Sequence, residues 1–211
     1  MSGRVPESPV GRHWVVIETG ANQAYIFASN RQAVNVGASE LIWRVGHVWA
    51  EDAVREVGAG AELVVAASGK ALLLVDDPET GRAIIRAVTT RALDEAPGLE
   101  VWGVVDGRAI TDDRDVGPAL ARAHRLQAAW RGRRPATALR HPTLPFIQPC
   151  HFSGQPATTI RETDTERYPI SEAVDRAWRM RDEGRKRMVR QLGPLGDQAV
   201  VRPDGINNGV S

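Results

Sequence analysis

Glu62-Leu-Val-Val-Ala-Ala-Ser-Gly-Lys-Ala-Leu-Leu-Leu-Val75 decides the fold. Two nearly continuous apolar runs, Glu62–Ala67 and Ala71–Val75, flank Ser68-Gly69-Lys70. A short connection containing glycine between two such runs signals an antiparallel hairpin. Runs apolar on both faces are expected at central positions of a sheet.

Working outward, each flank repeats a pattern of helix and strand. Toward the N-terminus, Gly58 and Gly60 end a helix whose apolar stripe is Leu41, Ile42, Val45, Val48, Trp49, Val54 and Val57, at three- and four-residue spacing. Gly37-Ala-Ser39 reads as an interruption, with Ser39 as the cap of that helix. Asn22–Asn30 reads as one or two helical turns. Before it lies Trp14-Val-Val-Ile-Glu18, a buried strand closed by Thr19-Gly20. Toward the C-terminus, Asp76-Asp77-Pro78 opens a helix with the stripe Ile84, Ile85, Val88, Ala92 and Ala96. Pro97-Gly98 stops it, and Leu99–Val105 is a fourth strand.

The order is strand, helix, strand, strand, helix, strand. That is the βαββαβ, ferredoxin-like arrangement, an α+β fold. Right-handed crossovers place both helices on one face of a four-stranded antiparallel sheet.

The remaining chain divides into a flexible N-terminus (1–13), the ferredoxin-like unit (14–110), a helical and proline-rich connector (111–192) and a flexible tail (193–211). In the connector, Val116–Arg131 reads as a helix with Val116, Leu120, Ala123, Leu126 and Trp130 on one face. Residues 135–169 carry six of the thirteen prolines and read as irregular extended chain. Ser171–Leu192 reads as a last helix.

Composition limits the function. With 211 residues, 42% hydrophobic and 25% charged, the chain has the makings of a packed core. No apolar run reaches the ~18 residues a membrane helix needs, so no membrane partner is expected. The first ten residues lack the apolar core of a secretory signal. One cysteine, Cys150, excludes an internal disulfide and a four-thiolate zinc site within the chain, and suits the cytoplasm. A net charge of +1 gives no global attraction to nucleic acid. Of 27 basic residues only Lys70 and Lys186 are lysine, a bias that a GC-rich genome also produces.

Three groups of residues carry chemistry. A carboxylate at the end of the first strand, Glu18, precedes Asn22, Gln23, Asn30, Arg31 and Ser39 around the following helix starts. Such a site suits a divalent metal and a triphosphate; the alternative is turn and cap chemistry. The second group is the hairpin turn Ser68, Gly69 and Lys70, where Lys70 either contacts a phosphate or is an ordinary turn lysine. The third is Cys150 with His151 and His141, zinc-ligand types that lack a fourth partner. A stacking platform for RNA is opposed by a third strand, Ala71–Val75, without aromatics.

The string Glu18-Thr-Gly-Ala-Asn-Gln-Ala-Tyr-Ile-Phe-Ala-Ser-Asn30, followed by Val36-Gly-Ala-Ser-Glu-Leu41, resembles the opening of the palm domain in the large, polymerase-like subunit of type III CRISPR effectors and their relatives. Ser68-Gly69 falls in that family's central hairpin. Ala96-Pro-Gly-Leu99, Leu144-Pro145 and Pro149-Cys-His-Phe-Ser-Gly-Gln-Pro-Ala157 resemble the approach to its fourth strand and the connector before its second palm. The resemblance spans about residues 14–157. It implies a palm shared with nucleotidyl cyclases, ATP with magnesium or manganese if nucleotide binds, and a second palm or a homodimer partner. Active palms carry acidic residues in the hairpin, as in Gly-Gly-Asp-Asp. Here the turn is Ala67-Ser-Gly-Lys70, with none. The resemblance therefore implies a degenerate, non-catalytic palm that shapes a nucleotide pocket in antiviral defence, meets RNA only through a larger complex, and precedes a catalytic palm. Two other readings remain open at this point: a stand-alone cyclase or oligonucleotide synthase acting as a homodimer, and an RNA-binding ferredoxin-like module.

Overall fold

The computed structural model describes residues 8–133, 146–162 and 166–193. The flexible termini expected from the sequence lie mostly outside these ranges.

Four strands form one antiparallel sheet: β1 (His13–Gly20), β2 (Ala61–Ala67), β3 (Lys70–Val75) and β4 (Glu100–Val105), in the order β2-β3-β1-β4. β1 pairs with β3 from His13↔Val75 to Glu18↔Lys70, and with β4 from Val15↔Val105 to Gly20↔Glu100. Side chains alternate faces along a strand. Val15 and Ile17 therefore join Ala71, Leu73 and Val75 in the main core, while Trp14 and Val16 join Leu72, Leu74 and Val104 in a second core on the opposite face.

Between β1 and β2 lie α1 (Asn22–Ile26), α2 (Gln32–Arg44), a π-helical turn (Val45–Trp49) and α3 (Ala50–Val57). Between β3 and β4 lies α4 (Pro78–Glu95), capped by Asp77, whose carboxylate accepts from the amides of Glu79 and Thr80 at 2.9 Å. The buried residues of both helical segments, Leu41, Trp49, Ile84 and Val88 among them, enter the main core.

α2 starts at Gln32, seven residues before the expected cap, so Ser39 lies inside the helix. Gly37 does not interrupt it. A Cβ on Gly37 would collide with the carbonyl oxygen of Ala177, so glycine here permits close approach of α2 to a later helix.

β2 also departs from expectation: it is an edge strand. Its register shifts between Leu63 and Val65, and Val64 and Val65 are exposed. A bulge of this kind blunts an open edge against pairing with another chain. An apolar run alone does not distinguish an edge of this type from a centre.

The described helices of the segment expected as a connector are packed against the sheet and its helices. α5 (Val116–Gly132) covers the second sheet face through Ala119 and Ala123, with Val116 and Leu120 beside them, and the Trp14 Nε1–H donates to the Val116 carbonyl at 3.2 Å. Leu126 and Trp130, expected on the buried face, are exposed; the small residues set the contact because they let the helix approach the sheet closely. Within the proline-rich stretch, β5 (Thr159–Glu162) and β6 (Arg167–Ile170) pair antiparallel where irregular chain is expected. The last helix is two: α6 (Glu172–Arg179), capped by Ser171, and α7 (Arg181–Leu192), divided at Met180. Asp182 and Glu183 favour a new N-terminus there. α7 is tied to α2 by a part-buried ion pair between the Arg187 Nε and the buried Glu40 carboxylate at 2.6 Å. Among the described residues no helix is long and apolar enough to cross a membrane.

Candidate functional site

The end of β1 and the β2–β3 turn meet. Glu18 and Lys70 are cross-strand neighbours, and the Lys70 ammonium lies 2.7 Å from the Glu18 carboxylate. Thr19 fastens the turn: its amide donates to the Gly69 carbonyl at 2.8 Å and its hydroxyl donates to the same oxygen at 3.2 Å. Gly69 stands at φ +72°, a conformation that glycine adopts without steric cost. The structure thus gathers Glu18, Ser68, Gly69 and Lys70 at one end of the sheet. The nearest acids in sequence serve elsewhere, since Asp76 pairs with Arg12 at 3.0 Å and Asp77 caps α4. Among the described residues no three His, Cys, Asp or Glu side chains converge as a metal site. Glu18 already has a cationic partner, and the carboxylate of Glu100, opposite Gly20 on β4, is its diagonal neighbour on the same end of the sheet.

The other expected nucleotide contacts are dispersed. Asn22 and Gln23 open the five-residue α1, entered through Ala21 at φ 51°. The Asn22 Oδ1 is buried and accepts no hydrogen bond, while Gln23 is exposed. Asn30 is exposed in the loop before α2. Arg31 caps α2 and turns its guanidinium over the rings of Phe152 (5.2 Å) and Tyr168 (5.9 Å). That contact anchors the post-α5 segment by cation–π attraction. Ser39, inside α2, caps nothing.

Cys150 and His151 diverge in environment. Cys150 is buried, and His151 is exposed, packed edge-on against Phe152 and tilted on Tyr168. Burial alone would raise the Cys150 thiol. Hydrogen bonds from the Ser153 hydroxyl and the amides of Ser171, Phe152 and Ser153 outweigh it and hold the thiol below its ordinary range. His141, the third zinc-ligand candidate, lies outside the described residues.

A partly enclosed hollow lies elsewhere, between α1, α2, α6 and the loop before β5. It measures about 420 Å³. Its walls are small or apolar residues: Gly20, Ala24 and Ala28, Ala38 of α2, Gly98 before β4, and Ala177 of α6. Tyr25 presents its ring to the hollow, and its hydroxyl is buried without a partner. Gln155 closes the loop side. The sequence reading did not select Tyr25, Gly98 or Gln155. Alanines 21, 24 and 28, spaced three and four apart, were the available signal for a helix face with room against it.

Comparison with protein-family models and with curated proteins finds no match to this chain.

Proposed function

We propose that the chain is a ferredoxin-like βαββαβ palm with an attached helical connector, a degenerate relative of the type III CRISPR polymerase or cyclase palms. In this reading it shapes a nucleotide pocket and packs against a catalytic palm, its own second palm or a homodimer partner, in cytoplasmic antiviral defence. Three features support it: the resemblance over residues 14–157, the strand order β2-β3-β1-β4 and the placement of the β2–β3 turn beside the end of β1.

The observation that carries the non-catalytic assignment is the Glu18–Lys70 pair. A catalytic palm holds two divalent ions with carboxylates from the first strand and the hairpin, so that one ion activates the attacking hydroxyl and the other steadies the leaving group. Here the hairpin residue opposite the strand carboxylate is a cation. It cancels the charge a metal would need and offers a donor to a phosphate instead.

The test is incubation of the chain with radiolabelled ATP and manganese, with chromatography of the products. The expected result is no cyclic or linear oligonucleotide, together with ATP binding that weakens in Lys70→Ala. A manganese-dependent product lost in Glu18→Ala overturns the non-catalytic assignment. Absence of ATP binding overturns the nucleotide pocket.

A further inference from the structure

The hollow beside Tyr25 has a composition that narrows its ligand. Among the described residues no charged side chain lines it, so none of them offsets the desolvation of a phosphate or an ammonium group. At about 420 Å³ it falls within the ~300–1,000 Å³ typical of small-molecule sites. Tyr25 is its aromatic lining residue. Its polar lining side chains beyond Tyr25 are Ser153 and Gln155. Ser153 is engaged, since its hydroxyl lies 3.3 Å from the Ser171 hydroxyl and accepts the Gln155 amide at 3.4 Å. Among the described residues no side-chain hydrogen bond engages the Gln155 carboxamide, and it has one donor group and one acceptor to offer.

Gly98 is where these walls converge. A Cβ on Gly98 would stand 3.9 Å from the Tyr25 ring, 3.9 Å from the Gln155 side-chain nitrogen and 3.8 Å from the Ala173 Cβ. Ring, carboxamide and helix α6 therefore bound one narrow space that the missing side chain leaves open.

We infer that this hollow binds a flat, uncharged heterocycle of nucleobase or nucleoside size, its face on the Tyr25 ring and its donor–acceptor edge on the Gln155 carboxamide. A carboxamide satisfies such an edge with two parallel hydrogen bonds, the pairing glutamine makes with adenine. The ring face supplies stacking that does not depend on charge. The ligand bridges α1 and α2 on one side and α6 with the loop before β5 on the other, so binding also stabilises the docking of the C-terminal helices. The inference does not rest on the palm reading, because neither Glu18 nor Lys70 lines the hollow.

Adenosine is the probe, titrated into the full chain by calorimetry with N6,N6-dimethyladenosine and ribose as comparators. Adenosine is expected to bind saturably. Loss of the exocyclic donor in the dimethyl compound and loss of the carboxamide in Gln155→Ala should each weaken binding about tenfold, the scale of a lost hydrogen bond or two. Ala24→Phe, at an exposed position of the wall, should abolish binding while leaving the melting temperature near wild type. Ribose should not bind. No adenosine binding, or binding that Ala24→Phe leaves intact, overturns the site. Equal affinity for adenosine and its dimethyl analogue overturns the role of Gln155. Product formation from ATP is a separate measurement, so failure here and failure of the palm reading are distinguishable.

Discussion

Lys70 stands directly opposite Glu18 across the β1–β3 ladder, ammonium to carboxylate at 2.7 Å. Both side chains are about one third exposed, so water screens the pair and it adds little to stability. Glu18→Ala and Lys70→Ala should each cost at most about 1 kcal/mol. Lys70→Asp is expected to behave differently. It sets two carboxylates opposite each other, which repel without a cation. Manganese should then raise the melting temperature of Lys70→Asp and leave that of the wild type unchanged. A wild-type response that vanishes in Glu18→Ala would show that Glu18 holds a metal despite its partner.

The contact between α2 and α6 depends on a missing side chain. A Cβ at Gly37 meets the backbone of Ala177, and backbone cannot rotate aside as a side chain can. Gly37→Ala should therefore cost about 1–3 kcal/mol or more, by forcing the two helices apart. Gly107→Ala is the control, since nothing lies within 4 Å of a Cβ there. Urea melts of the two variants should separate clearly. Equal stabilities would mean that α6 does not sit on Gly37 in solution.

The same glycine shows what the sequence leaves unreadable. Local patterns sufficed for the sheet, because β1, β3, β4 and α4 each carry their own periodicity and punctuation, down to the Asp77 cap. Gly37 looks like punctuation too. Its role is set by Ala177, 140 positions away, and no local signal distinguishes a helix stop from a helix contact. The edge position of β2 is likewise a property of strand order, not of its residues. At the hairpin, Glu18, Ser68, Gly69 and Lys70 could be brought together from the strand pattern alone. Asn30, Arg31 and Ser39 could not be placed, because α2 begins eight residues before the start that a cap at Ser39 implies. The hollow required α6 and the loop before β5, whose docking depends on long-range contacts such as Arg31 with Phe152.

Acid should destabilise the protein through a few identifiable carboxylates. The Arg91 guanidinium donates to Asp52 and holds its carboxyl below the usual range; the Thr80 hydroxyl does the same for Asp77, and Arg122 for Asp115. A carboxyl depressed in the folded state binds its proton more readily once unfolded. Its contribution is therefore complete above the unfolded value of about 3.9 and is lost as pH falls through the folded value. Chemical denaturation between pH 6 and pH 3 should show stability steady at first and falling below about pH 4. In Asp52→Asn that fall should be shallower. A slope unchanged by the substitution would assign the loss to other groups.

Tyr25 predicts the opposite limb. Its hydroxyl is buried and unpartnered, and burial pushes its ionisation far above the ordinary tyrosine range. A buried donor without an acceptor costs about 1–3 kcal/mol relative to a satisfied one. Removing the oxygen while keeping the ring removes that cost, so Tyr25→Phe should leave the protein as stable as wild type or up to about 1 kcal/mol more stable at neutral pH. The alkaline behaviour follows from linkage. Above about pH 10 the unfolded tyrosine gives up its proton while the folded one keeps it. The native state then binds more protons than the unfolded state, and stability falls as pH rises. That component is absent in Tyr25→Phe, so the difference in stability between variant and wild type should widen from pH 9 to pH 11. The ring face that lines the hollow is untouched, and adenosine affinity should be unchanged within about twofold, less than the ~1 kcal/mol of one hydrogen bond. A Tyr25→Phe protein that is markedly less stable at neutral pH would show that the hydroxyl has a hydrogen-bond partner in solution, and would turn attention to the buried Asn22 oxygen, which also lacks one.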